Sequence, residues 1–217
     1  MFIKICGITN EEDALLAVAL GTDALGFVFA PSPRQMAPGR VHDIVRRLPP
    51  EVMTVGVFRN EHPDRVVAMM RETGLHAAQL HGHEPPEETR AVRAHTRLVI
   101  KAFAAGSDAL THAKEHRADI ILLDSARPGS GTVFDWTLVS DVPQDARLLL
   151  AGGLTPENVA TAIARVSPWG VDVSSGVERD PGRKDPVKLQ RFIEAAREAA
   201  PAPYRGPDEM PYDWQDE

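Results

Sequence analysis

The sequence predicts an α/β protein of one domain, a closed (β/α)8 or TIM barrel, and three observations carry that prediction. Short β-branched or aliphatic runs alternate with longer stretches whose apolar residues recur at three- and four-residue spacing, which is a βα rhythm. The strand-like runs begin near Phe2, Ala24, Val52, His76, Arg97, Asp119, Arg147 and Gly170, so successive starts lie 22, 28, 24, 21, 22, 28 and 23 residues apart. These runs are nearly continuous in apolar residues, as strands covered on both faces should be. Such barrels usually take about 250 residues, with about 200 near the floor, so a chain of 217 makes a compact example. An open doubly wound sheet is the other architecture of this rhythm, but its Gly-x-Gly-x-x-Gly turn is missing after the first strand, where Cys6-Gly7-Ile8-Thr9 has one glycine.

The eight runs read FIKI, ALGFVF, VMTVGVF, HAAQL, RLVIKAF, DIILLD, RLLLA and GVDV. Between and after them, helical periodicity is expected over 11–20, 41–48, 64–73, 86–94, 108–116, 136–140, 156–164 and from 186 to about 199. The 136–140 segment is the weakest of these. Thr155 before Pro156 and Asp185 before Pro186 each set a capping oxygen at Ncap and a proline at N1. The barrel, read as the catalytic domain, covers residues 1–199. Residues 200–217 hold four prolines, five acids and a single base, which predicts an extended or disordered acidic, proline-rich tail.

Composition narrows the functional classes. At 43% hydrophobic and 25% charged, the chain can build a substantial core. One cysteine allows no internal disulfide and no multi-cysteine metal site. There is no apolar run of about 18 residues, and the apolar start 1–8 contains Lys4 and runs into Glu11, Glu12 and Asp13. The expectation is therefore a cytoplasmic protein without membrane partners. With 31 acidic and 24 basic residues there is no general basic field for nucleic acid. The tail accounts for −4 of the net −7, so the barrel itself is nearly neutral. A small anionic molecule is the partner expected at its mouth, with the protein acting as a monomer or homodimer.

Barrels of this kind work at the C-terminal ends of their strands. Strand one ends at Cys6, and side chains alternate along a strand, so Lys4 and Cys6 share a face with Cα atoms about 6.5 Å apart. A small buried hydrophobe is the ordinary fate of a free cysteine. If this face is the barrel interior, however, the ammonium should lower the thiol pKa and favour a thiolate base or nucleophile. Asp124 ends a strand whose four preceding residues are Ile120, Ile121, Leu122 and Leu123. A carboxyl emerging there is either a cap or loop ion pair, or a general acid whose pKa is raised by its dry surroundings. Together, across the mouth, Cys6 and Asp124 would form an acid–base pair that needs no metal and no cofactor.

Two glycine sites point to phosphate. Gly152-Gly153 precedes the predicted helix at Thr155-Pro156, and Ser174-Ser175-Gly176 follows strand eight; loops after strands seven and eight of such barrels frequently hold phosphate. Arg34 sits between prolines in a loop that could aim its fork at a carboxylate. His81, with His83 and Glu84, lies in a turn read as pocket lining, not as a metal cluster. His112 and His116 have the four-residue spacing of a zinc pair, but without a third ligand they read as solvated.

These residues carry a resemblance. Lys4 to Thr9, Gly26-Phe27-Val28-Phe29 with Ser32-Pro33-Arg34, Val55-Gly56-Val57-Phe58, Gln79-Leu80-His81-Gly82, Leu122-Leu123-Asp124-Ser125, Phe134-Asp135-Trp136, Ala151 to Leu154 and Val171 to Glu178 together resemble phosphoribosylanthranilate isomerase, in order and spacing, from Phe2 to about residue 199. The resemblance implies a cofactor-free Amadori rearrangement of N-(5-phosphoribosyl)anthranilate to the carboxyphenylamino-deoxyribulose phosphate of tryptophan biosynthesis. It implies Asp124 as general acid on the furanose ring oxygen and Cys6 as general base at C2′. Arg34 would hold the anthranilate carboxylate, His81 and Asp172 would line the substrate pocket, and Gly152, Gly153, Ser174, Ser175 and Gly176 would hold the phosphate. One departure stands out: Pro128-Gly129-Ser130-Gly131-Thr132-Val133 lacks a glycine and a long polar side chain that the family usually carries there, which bears on substrate affinity. The alternatives are the related aminoaldose–ketose isomerase of histidine biosynthesis, which ends strand one in aspartate, and a sugar-phosphate-binding barrel without chemistry.

Overall fold

A computed structural model describes residues 1–125, 142–143 and 146–200 of the chain. Eight parallel strands close on themselves in sequence order: β1 (Phe2–Cys6), β2 (Ala24–Val28), β3 (Met53–Phe58), β4 (Ala77–Leu80), β5 (Leu98–Ala104), β6 (Ile120–Asp124), β7 (Leu148–Leu150) and β8 (Gly170–Val173). The barrel is sealed where β1 pairs with β8, with Lys4 opposite Asp172. The helices α1 (Glu11–Ala19), α2 (Pro38–Val45), α3 (Pro63–Thr73), α4 (Pro86–Arg93), α5 (Val159–Val166) and α6 (Pro186–Glu198) cover the strands outside. A small hairpin, β9 (Glu178–Asp180) with β10 (Arg183–Lys184), follows β8.

Strand alternation sorts the core into two layers. Ala24, Met53, Val55, Ala77, Ile100, Ala102, Ile120, Leu122, Leu149 and Ala151 fill the interior as one buried cluster. The odd residues of β1, Ile3 and Ile5, pack outward with helix residues such as Ala14, Ala17, Leu189 and Phe192. The even residues Lys4 and Cys6 therefore face inward, as do Asp124 above Ile120 and Leu122, and Asp172 on β8.

Three local expectations change. The 108–116 segment is a 3-10 helix, Asp108–His116, and at three residues per turn its buried residues Leu110, Ala113 and His116 fall on one face. His116 is thus buried at 4% exposure and bonded to Thr89, whereas His112 stays outside and pairs with Glu115. The solvated reading holds for His112 and fails for His116. The α-helix after β7 runs from Val159, three residues beyond the predicted Pro156, but the Thr155 cap forms ahead of it: Thr155 Oγ1 accepts from the Glu157 N–H, and Asn158 accepts in return from the Thr155 N–H while donating to the Gly153 carbonyl. The helix expected over 41–48 is shifted to Pro38–Val45, with Pro38 at its first turn. The Asp185 cap forms as expected, accepting from the N–H groups of Val187 and Lys188. The helix expected over 136–140, the loop 128–133 and residues 201–217 of the tail lie outside the described residues.

Candidate active site

The mouth of the barrel holds charges that a barrel interior does not ordinarily tolerate. Lys4 is fully buried, and its Nζ lies 2.8 Å from Asp172 Oδ1. Burial works against the Lys4 charge, but the attraction of Asp172 and of the Cys6 thiolate outweighs it and raises the Lys4 pKa above the ordinary value. Cys6 stands one layer higher at 7% exposure. Burial pushes its thiol pKa up, Lys4 and Lys184 pull it down, and Asp172 adds to the rise; the net direction is upward. That corrects the expectation that Lys4 alone would depress it. The desolvation of a thiolate at this depth exceeds the pull of a lysine already shared with a carboxylate.

Gly26 of β2, registered opposite Cys6, makes room for the sulfur: a Cβ at position 26 would lie 2.8 Å from Cys6 Sγ and 3.2 Å from Lys4 Nζ. Lys184 of β10 reaches in from the other side. Its buried Nζ donates to the Cys6 carbonyl at 2.6 Å and the Ser174 carbonyl at 3.2 Å, and pairs with Glu178 at 3.0 Å. The hairpin thereby ties the end of β1 to the end of β8.

Asp124 ends β6, separated from β1 by β7 and β8. Its Oδ1 accepts from the Ser125 N–H at 2.7 Å, and its Oδ2 lies 3.2 Å from His81 Nε2. Gly152 adopts φ +85°, and a Cβ there would lie 2.5 Å from the Ser125 nitrogen and 3.0 Å from Asp124 Oδ1. Only a glycine lets the β7 loop come this close to the carboxyl. His81 in turn meets Gln79, whose Nε2 lies 2.8 Å from His81 Nδ1. Gln79 is 1% exposed, and its Oε1 is a buried side-chain acceptor without a partner among the described residues, an arrangement that costs about 1–3 kcal/mol.

The phosphate residues predicted from the two glycine sites come together. Gly152, Gly153, Ser174, Ser175 and Gly176 line one small pocket of about 50 Å³, with Asp124 and Asp172 on its inner wall. The one-turn 3-10 helix Ser175–Val177 opens on this pocket and, with the Gly152-Gly153 loop, brings main-chain groups toward it. The small side chains matter because a Cβ at Gly176 would run into the Leu154 carbonyl oxygen.

Arg34 also reaches the mouth, but its fork is engaged. Nε and Nη2 donate to the two carboxylate oxygens of Glu178 at 2.8 and 2.7 Å. Burial pushes the Glu178 carboxyl up, yet the Arg34 hydrogen bond and the Lys184 charge hold it below its usual range. A carboxylate partner for Arg34 was expected; that Glu178 supplies one from within the chain was not. Glu178 and Lys184 are the site residues that sequence reasoning missed. Gln79 was seen only as part of a motif, although its two-residue spacing from His81 puts both on one strand face.

The turn 81–84 is explained without metal. Glu84 accepts from the Asn60 and Gly82 N–H groups and pairs with the buried Lys101 at 2.9 Å. No group of three or more His, Cys, Asp or Glu side chains among the described residues is placed to hold a metal ion. No helix among them is long and apolar enough to cross a membrane. A second cavity of about 490 Å³ opens beyond His81, toward Lys101, Phe103 and His116.

Comparison with known proteins places this geometry. Residues 3–195 match the family model described as N-(5′-phosphoribosyl)anthranilate isomerase. A curated protein of that name from Desulforudis audaxviator is 50% identical over 204 residues, covering 91% of this chain and 98% of the relative. Among solved structures, the phosphoribosyl anthranilate isomerase of Thermus thermophilus superposes with a TM-score of 0.86 at 44% identity, covering 91% of this chain and 99% of that one. Another, in complex with reduced 1-(o-carboxyphenylamino)-1-deoxyribulose 5-phosphate, superposes with a TM-score of 0.80 at 42% identity over the same shares.

Proposed function

The chain belongs to the N-(5′-phosphoribosyl)anthranilate isomerase family, and from that premise we propose how its own residues carry the reaction. It is an aldose–ketose isomerase of tryptophan biosynthesis, and its substrate is a small molecule, N-(5′-phosphoribosyl)anthranilate. The product is 1-(2-carboxyphenylamino)-1-deoxyribulose 5-phosphate. Substrate and product are isomers, so hydrogen moves as protons and no electron carrier is consumed.

Asp124, as a carboxylic acid, protonates the furanose ring oxygen. The C1′–O bond breaks toward that oxygen while the anthranilate nitrogen pushes its lone pair into a C=N bond, leaving an iminium ion. Cys6, as thiolate, removes the C2′ proton, and the C2′–H electrons neutralise the iminium to give an enolamine. Loss of the O2′ proton and protonation at C1′ then give the ketone. Burial raises the pKa of the free thiol, so the thiolate forms against that cost, and Lys4 and Lys184 are the charges that favour it. Gly152, Gly153, Ser174, Ser175 and Gly176 hold the phosphate by main-chain N–H groups and hydroxyls. Arg34, steadied by Glu178, faces the anthranilate carboxylate, and His81 lines the pocket. Asp172 acts through Lys4, keeping an ammonium under Cys6.

The observation that carries this assignment is that barrel closure buries the Cys6 thiol and the Asp124 carboxyl at the same mouth, with the proposed phosphate pocket beside Asp124. The protein is expected to act in the cytoplasm as a monomer or homodimer. Purified protein should extinguish the fluorescence of phosphoribosylanthranilate equally well with and without a chelator. No reaction on that substrate, with turnover of the histidine-pathway aminoaldose, would assign the chain to the alternative isomerase.

A further inference from the structure

Gln79 Nε2 lies 2.8 Å from His81 Nδ1, and His81 Nε2 lies 3.2 Å from Asp124 Oδ2, so the three side chains form one file from the barrel interior to the mouth. The first member is paradoxical as a choice for stability. Gln79 is 1% exposed, and half of its amide, Oε1, has no partner among the described residues. An apolar side chain would leave no orphaned oxygen, so the amide is there for what its nitrogen does.

An amide nitrogen can only donate. With the amide nitrogen on that side, the facing imidazole nitrogen is the acceptor, and a neutral ring then carries its hydrogen on Nε2, toward Asp124 Oδ2. In that tautomer neither ring nitrogen has a free lone pair: one receives the Gln79 N–H and the other carries hydrogen.

We propose that Gln79 is a positioning residue for the rearrangement: by donating to His81 Nδ1 it holds His81 as a neutral Nε2–H donor, unable to take the proton that Asp124 delivers to the substrate. This rests on the reading of Asp124 as general acid. An imidazole is ordinarily a stronger base than a carboxylate. A His81 with an open Nε2 lone pair would draw the Asp124 proton to itself, and the pair would rest as imidazolium and carboxylate with the acid already spent. As an Nε2–H donor, His81 instead supports the carboxylate that forms when the proton leaves for the ring oxygen. His81 ends the step with the proton it began with.

Nitrogen-15 spectra of the imidazoles read the tautomer directly, and the His81→Asn variant identifies the His81 signal among the eight histidines. The expected wild-type spectrum is neutral with hydrogen on Nε2. Gln79→Glu puts an acceptor against Nδ1, so His81 should become imidazolium near neutrality, and kcat should fall at least about thirtyfold with KM changed less than about threefold. In the His81→Asn background, where no ring can take a proton, the same Gln79→Glu change should cost less than about threefold. Gln79→Met, apolar and similar in volume, gives the same test without a buried charge: a mixed tautomer and a kcat loss of about fivefold that vanishes in His81→Asn. A wild-type His81 protonated on Nδ1, or a Gln79 effect undiminished by His81→Asn, would overturn the proposal. Full activity in Asp124→Asn would overturn the acid reading itself, and the imidazole spectrum, which needs no turnover, separates that failure from a wrong tautomer.

Discussion

Lys4 Nζ and Asp172 Oδ1 meet 2.8 Å apart beneath Cys6, on neighbouring strands whose register sets the two residues opposite each other. The pair acts on the thiol with opposite signs, Lys4 lowering and Asp172 raising its pKa. Lys4→Met should therefore move the Cys6 titration up and Asp172→Asn should move it down. The chain has one cysteine, so the ultraviolet absorbance of each protein less that of its Cys6→Ser counterpart across a pH titration reads this thiolate free of the two tyrosines. Each variant also leaves a formerly paired group in the interior, at a stability cost of about 3–5 kcal/mol, so both titrations should be run well below the melting temperature.

Arg34 is gripped by both oxygens of Glu178, which fixes the plane of its guanidinium at the edge of the mouth. Lysine carries the charge but not the fork. Arg34→Lys should raise KM for phosphoribosylanthranilate at least about tenfold while kcat changes less than about threefold, the signature of lost binding common to ground and transition states. Initial rates over a range of substrate concentrations check this. A fall in kcat with unchanged KM would move Arg34 from binding to the chemical step.

His116 is buried against Phe103 and Thr89, and burial, with the charge of Lys101 in the same direction, lowers its pKa to about 4 from an ordinary 6.5. The unfolded chain binds a proton at 6.5 that the folded one refuses until about 4. The contribution is thus complete above the ordinary value and is lost as pH falls through this window, by up to about 3 kcal/mol. His116→Gln, which keeps a hydrogen-bonding group but does not titrate there, should show a shallower loss of stability over this range in denaturant melts. Parallel acid profiles for both proteins would contradict the assignment.

Much of this was legible in the residues, and what escaped did so for identifiable reasons. The spacing of apolar runs is enough for an eight-stranded barrel, and strand parity sets Lys4 and Cys6 on one face; that this face and Asp124 turn inward follows from the strand register and the interior cluster. The Arg34–Glu178 pair spans 144 positions, so no local pattern announces it. Lys184 follows Arg183 in a charged stretch that reads as solvated surface, and only the hairpin turns it inward. His116 was misjudged through the wrong period: four-residue spacing groups it with His112, whereas the 3-10 turn groups it with Leu110 and Ala113. Thr155-Pro156 caps an opening turn, as those residues suggest, but the α-helical run itself starts only at Val159. The upward shift of the Cys6 thiol needed the depth of the site as well as its neighbours.

The central claim is that a thiol on β1 and a carboxyl on β6 share the proton transfers of one rearrangement. Steady-state turnover of Cys6→Ser and Asp124→Asn, followed by loss of substrate fluorescence on samples whose unfolding curves match the wild type, tests it most directly. The account predicts that each variant loses at least about a hundredfold in kcat while KM stays within about threefold. A Cys6→Ser protein that turns over at the wild-type rate would contradict it.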